Sequence, residues 1–186
     1  MSYNVSEIVS RAERLMQKCD TRDPRKIARQ LGIEIIPRAF EKQKGAYAVI
    51  KRNRFIFIKD DLSPVMERIV LAHELGHDDL HRAVAQSGVK FQEFNIFDMR
   101  TGRHEYEANI YASHLLLDDE EFLEFAEEGY DTQQIACAMC SDINLVSLKA
   151  DIMIAKGYRL RPQEHRSDFL KEPLNKSPLF LSSLAI

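Results

Sequence analysis

The sequence predicts an α+β fold that is mostly helical, with a small β-sheet of about three strands. Three observations predict it. Apolar residues recur at helical spacing near the N-terminus and again after Ser63-Pro64; β-rich runs are confined to residues 33–58; and from about Gly102 to Gly157 only helical patterns occur.

Taken in order, Val5, Ile8, Val9, Ala12, Leu15, Met16 and Cys19 share one helical face, so 5–19 is an amphipathic helix with Asn4 as N-cap. Asp23-Pro24 opens a short second helix, which Gly32 closes just past Leu31. Ile33–Ile36 is a strand ended by Pro37. Gly45–Ile50 and Phe55–Ile58 flank a polar KRNR segment as a hairpin. Ser63 as N-cap and Pro64 at the first helical position start a helix that runs to about His81. An irregular connection over about 84–101 leads to a helix from Gly102 to Leu117. Another helix lies between Asp118 and Gly129, and two more, Thr132–Cys140 and Leu145–Lys156, are joined by a short turn, with Asn144 capping the second. Beyond Gly157 no periodic pattern continues, so 159–186 is expected to be a tail or packing arm.

A chain of 186 residues can bury a real core, and 45% hydrophobic with 30% charged residues is the balance of a globular protein. The net charge of −3 argues against binding nucleic acid or an anionic membrane through bulk charge. No apolar run reaches the roughly 18–20 residues of a membrane span, and MSYNVSEIVSRAERL has no signal-like apolar core. Three cysteines do not suit a secreted disulfide framework. The expectation is a reduced, cytoplasmic protein. Basic residues concentrate in 1–59, whereas Asp118–Asp131 holds acids and no base, either as two solvated faces or as opposite fields at the ends of a cleft.

The chemistry is concentrated in residues 69–81, IVLAHELGHDDLH. Residues four apart on a helix lie above one another, so His73 and His77 can turn two imidazoles to one metal ion. Glu74, about 100° round the helix, is placed to act as general base on a water that the metal activates. Zinc is the metal such a site suits. Gly76 is a poor helix former, and its presence suggests that another element approaches the backbone there. His81 lies about 12 Å along the axis from His73, too far to share the ion, and is expected to orient or pack.

A third ligand must come from elsewhere. A further histidine six residues after His77 would mark a metzincin, but Ala83 stands there. HEYEANIYASHLL, 104–116, offers Glu105, which could complete a His₂Glu set of the thermolysin type. Glu107, on another face, and His104 are competing ligands. Asn109, one turn after Glu105, is placed to hydrogen-bond His73 or His77 and fix its ring. The small Ala108 and Ala112 would let this helix sit close to the motif helix.

HELGH at 73–77, followed by EYEANIYASHLL at 105–116, resembles the ImmA/IrrE family of metallo-endopeptidases. The likeness extends upstream to the strand Gly45-Ala46-Tyr47 and the strand Phe55–Ile58, and covers about 5–157. It implies a zincin-like, gluzincin-type domain over 1–130. Two helix-turn-helix-like helices over 131–158 would pack on that domain, ahead of the tail at 159–186. Carried over by position, one Zn²⁺ would be held by His73, His77 and Glu105, with Glu74 as catalytic glutamate. Tyr111 replaces the family's usual Phe, His114 stands where an acidic or small residue is common, and Leu117-Asp118 replaces Met-Pro. The resemblance also implies a protein substrate, a helix-turn-helix transcriptional repressor of a phage, mobile element or stress regulon. Its scissile segment would add alongside a strand such as Gly45–Ile50, with Gly45, Ala46 and Tyr47 as substrate-binding positions.

A different class of function stays open: a regulatory module that keeps this fold and docks to a repressor or antitoxin without cutting it. The helix-turn-helix rhythm of 132–156 offers Lys149 and Lys156 but also Asp151, and is expected to pack or dock and not to read DNA. Cys137-Ala-Met-Cys140 has no second pair and is expected to be two small buried residues, not a metal or redox site.

Overall fold

The computed structural model describes residues 3–87, 91–93 and 102–160. Helix α1 spans Val5–Cys19 and α2 Pro24–Gln30; the caps are Asn4, which accepts from the Glu7 amide, and Asp23, which accepts from Arg25 and Lys26. Strand β1 is Ile33–Arg38, β2 Gly45–Ile50 and β3 Asn53–Lys59. Helix α3 runs Pro64–Gln86, about a turn longer than expected. Strand β4, Phe91–Glu93, lies inside the stretch read as irregular. Helices α4 (Arg103–Leu116), α5 (Asp119–Glu127), α6 (Thr132–Ala138) and α7 (Ile143–Ala155) complete the order. The expected tail from 161 onward lies outside the described residues.

The sheet is mixed, with order β1-β3-β2-β4. β1 runs parallel to β3, and β2 is antiparallel to both β3 and β4. Pro37 does not end β1, because β1 is an edge strand and its missing N–H can face away from β3. The β2–β3 turn is two residues long, and Lys51 and Arg52 both take the positive φ that such a turn demands (50° and 69°). Neither is Gly or Asn, so the turn chemistry is weakly written in the sequence.

Helix α3 is the central element. One side packs on β2 and β3 and the other on α4, while α1 and α7 both pack against α4. Val70, Leu71, Ala72 and Leu75 are buried with Ile110, Ala112 and Leu115 of α4 and Tyr47, Ile56 and Ile58 of the sheet. Asp78 ties helix to sheet. It is buried and accepts hydrogen bonds from the Tyr47 hydroxyl (2.6 Å), Arg54 (2.9 Å) and Arg82 (2.7 Å). A buried carboxylate is tolerated when it is paired in this way.

Helix α7 turns Leu145, Val146, Leu148, Lys149, Ile152 and Met153 inward, so Lys149, one of the two lysines a DNA-reading helix would present, is buried. Its cap is Asp142, whose side chain accepts from the Asn144 amide; Asn144 itself is inside the helix. Cys137 and Cys140 are exposed free thiols, contrary to the burial expected of them, because α6 turns Ile135 and Ala136 inward instead.

Candidate metal centre

Two helices build the site. Ser63 and Pro64 fix the frame of α3, which puts His73, His77 and His81 on one face, each buried to within 1% of full burial. Helix α4 brings Glu105 in its first turn and Asn109 one turn on. The helices approach closely at Gly76. A β-carbon built there would lie 3.1 Å from Cα of Ala108 and 3.2 Å from Cβ of Tyr111. The small residues at 76 and 108 are thus what lets α4 deliver its side chains to α3.

Three donor atoms converge. Nε2 of His73 lies 3.0 Å from Nε2 of His77 and 3.1 Å from Oε2 of Glu105, and the third side of the triangle is 3.3 Å. A tetrahedral shell with bonds of about 2.0–2.2 Å has edges of about 3.3–3.6 Å, so the triangle is a slightly contracted face of one. Among the described residues, this is the one group of three His, Cys, Asp or Glu side chains close enough to hold an ion. Nδ1 of His73 lies 2.9 Å from Oδ1 of Asn109. A carbonyl oxygen only accepts, so this nitrogen carries the proton and Nε2 keeps its lone pair for the centre. Burial pushes the His77 imidazole down to about 3, against the pull of Glu105, so it is neutral near pH 7. Nitrogen lone pairs and a carboxylate crowded together are the environment a divalent cation suits, and His₂Glu is a zinc-type set.

Glu107 and His104, the competing ligands, stand elsewhere. Glu107 faces His81, with Oε2 2.9 Å from its Nε2, and accepts through Oε1 from Arg103 (2.9 Å) and the Tyr3 amide (3.2 Å). Burial alone would raise its pKa, but these bonds outweigh it and hold the carboxyl below its usual range. His104 stacks edge-on against His81, with ring centroids 4.6 Å apart. His81 in turn has Nδ1 3.0 Å from Nδ1 of His77. Burial lowers its pKa too, opposed by the bond to Glu107. The pairing of His81 with Glu107 is an addition to what the sequence predicts; its signal is an acid at each end of Glu105-Tyr-Glu107 and a histidine one turn past His77.

Glu74 is fully buried, and its carboxylate lies against the backbone of β2: a β-carbon on Gly45 would stand 2.6 Å from its Oε1. The rest of that strand differs from expectation. Gly45, Ala46 and Tyr47 are already paired with β4 as well as β3, because residues 91–93 take up the edge that a peptide was expected to use. Only Ala48–Ile50 has no strand partner on the β4 side among the described residues. The Tyr47 side chain is fully buried and spent on Asp78. Tyr111 packs beneath Gly76, and His114 meets Lys149 of α7 through a hydrogen bond at 2.9 Å.

The chain is 30% identical over 143 residues to a protein of Bacillus phage phi105 named uncharacterized immunity region protein 2, covering 76% of this chain and 88% of that one. Among the described residues no helix is long and apolar enough to cross a membrane. A profile of the IrrE N-terminal-like domain, a peptidase family, matches residues 28–167. That match starts within α2, continues past α7 and takes in both helices that supply the cluster, and the chain belongs to the IrrE N-terminal-like family of peptidases.

Proposed function

We propose that this chain is a zinc-dependent endopeptidase of the cytoplasm, acting on a helix-turn-helix repressor of a phage, mobile element or stress regulon. The observation that carries the reading is the convergence of His73, His77 and Glu105 within 3.3 Å of one another. Those three residues would hold the ion, with Asn109 orienting His73. A divalent ion bound there supplies Lewis acidity, lowering the pKa of water from about 15.7 towards about 7 and polarising a carbonyl.

The remaining steps belong to the protein. Glu74 follows His73 on the same helix and is sealed from solvent by β2. It takes the proton of the attacking water and returns it to the departing amine, a contribution of about 10²–10⁴ in rate. A peptide strand would extend the sheet along the β2 edge at Ala48–Ile50, held by backbone hydrogen bonds. On this reading Gly45, Ala46 and Tyr47 serve the substrate by setting the position of that edge over Glu74, Gly45 by leaving the carboxylate room. The repressor as substrate is supported by the family resemblance and by the relative from a phage immunity region.

The test is co-purification of the full chain with a candidate helix-turn-helix repressor from the same genome, comparing wild type with Glu74→Gln. We expect about one zinc per chain in both proteins and cleavage by the wild type alone. Equal cleavage by Glu74→Gln removes the general-base role. A wild type that binds the repressor and leaves it intact establishes docking without proteolysis.

A further inference from the structure

We propose that Glu107 and His81 are positioning residues that act in series on His77, fixing it in the tautomer whose Nε2 lone pair faces the metal centre. The inference rests on reading the His73–His77–Glu105 cluster as that centre. It assigns to His77 what Asn109 does for His73, by different chemistry.

The two imidazoles of His77 and His81 meet through their Nδ1 atoms at 3.0 Å. Only one proton fits between two such nitrogens, so one ring donates and the other accepts. Taken alone the pair is symmetric. If His81 donated, the Nε2–H of His77 would point into the centre, where Glu105 could accept it and no lone pair would be left for an ion. The groups beyond His81 break the symmetry.

Nε2 of His81 lies 2.9 Å from Oε2 of Glu107. Glu107 is only 2% exposed, and its other oxygen already accepts from Arg103 and from the Tyr3 amide. A carboxylate ringed by donors accepts and does not donate. It therefore requires Nε2–H on His81, which leaves His81 Nδ1 as the acceptor and places the shared proton on His77 Nδ1. The lone pair of His77 Nε2 is thereby turned towards His73 and Glu105. A carboxylate at the far end of the series also makes His77 a stronger donor to a cation. Helix α4 consequently serves the centre three times: through Glu105 directly, through Asn109 on His73, and through Glu107 and His81 on His77.

Long-range ¹H–¹⁵N correlation spectra of the full chain, metal-free and zinc-loaded, test the assignment. We expect His77 protonated on Nδ1 and His81 on Nε2 in both. His77 protonated on Nε2 in the metal-free protein overturns the proposal. Zinc affinity, measured by competition with a chromophoric chelator, is the second readout. His81→Phe removes the acceptor, and we expect affinity to fall about 10–100-fold. His81→Asn puts an amide oxygen where Nδ1 stood and should recover most of that loss, a ranking that a purely structural role would not produce. A zinc-binding wild type with unchanged affinity in His81→Phe sinks the relay alone. A wild type that takes up no zinc, or a His77→Ala variant that binds as tightly, sinks the metal centre itself. Should His81→Phe fail to fold, the tautomers of the wild type and the affinity of His81→Asn still decide.

Discussion

Gly45 and Glu74 share one space: a β-carbon at position 45 would stand 2.6 Å from Oε1 of Glu74 and 2.5 Å from Cγ1 of Val70. The strand can lie over the motif helix because position 45 has no side chain. Gly45→Ala should push the carboxylate from its place while leaving His73, His77 and Glu105 on their own helices. Displacing a catalytic group by about 1 Å can cost about 10²-fold. We expect kcat for the proposed cleavage to fall about 10–100-fold on that scale, with zinc content unchanged. Loss of the metal together with the activity would show that β2 supports the whole centre and not Glu74 in particular.

Gly76 is constrained from the other side. Alanine is favoured over glycine in a helix by about 1 kcal/mol. Here, however, its β-carbon would lie 3.1 Å from Cα and 3.3 Å from the carbonyl oxygen of Ala108, both backbone atoms. Helix α4 would have to shift by a few tenths of an ångström, taking Glu105 and Asn109 with it. We expect Gly76→Ala to cancel its propensity gain and destabilise the fold by about 1 kcal/mol, and Gly76→Val by more. Chemical denaturation measures this, and chelator competition should show zinc affinity falling in the same order. A stabilised Gly76→Ala with wild-type affinity would mean that α4 yields without moving the site.

The candidate cluster was legible in the sequence where its parts obey helical geometry. His73 and His77 are one turn apart, Glu105 and Asn109 are one turn apart, and Gly76 with Ala108 marked the place where the two helices touch. What the sequence concealed depends on three-dimensional pairing. Glu107 read as a rival ligand because the rotation of α4 about its axis, which turns it to His81, follows from packing and not from spacing. Strand β4 is three residues long, too short for periodicity to announce it, and with it went the expectation of an open β2 edge. Pro37 looks locally like a stop, since nothing local says that β1 is an edge strand.

Metal removal should be felt in stability as well as in activity. Each of the three converging donors is buried or nearly so, and burial keeps the His77 ring neutral near pH 7. A cation that binds only the folded chain stabilises it by about 4 kcal/mol at 1,000 times its dissociation constant. For a domain of this size that raises the thermal midpoint by about 10 °C. Calorimetry with and without a strong chelator should show the difference, and Glu105→Ala should abolish it. A midpoint indifferent to zinc in the wild type would contradict a fully formed site.

Lys149 and Asp119 join α7 to the start of α5, and they should respond differently to mutation. The lysine side chain is fully buried, its ammonium bonded to Asp119 and 2.9 Å from Nδ1 of His114, while the carboxylate is 37% exposed. Burial pushes Lys149 down to about 8, although Asp119 pulls the other way. His114, 3.6 Å away, and the bonded Lys149 hold the Asp119 carboxyl below its usual range. Asp119→Asn leaves a buried ammonium without its counter-charge. Such a break costs about 3–5 kcal/mol in a dry site, and we expect about 2 kcal/mol here because solvent screens the exposed side. Lys149→Met, which removes the buried charge itself, should be neutral or stabilising. The pH dependence follows the same logic. The folded pKa of Asp119 is depressed, so its contribution is present above the unfolded value near 3.8 and is lost as pH falls through the folded one. Lys149, with its folded pKa also depressed, lowers stability below pH 8, and that penalty fades as pH rises towards 10.5. Urea denaturation of wild type and Asp119→Asn should show a gap at pH 7 that narrows in acid. A gap that persists unchanged well below pH 3 would assign the loss to packing and not to charge.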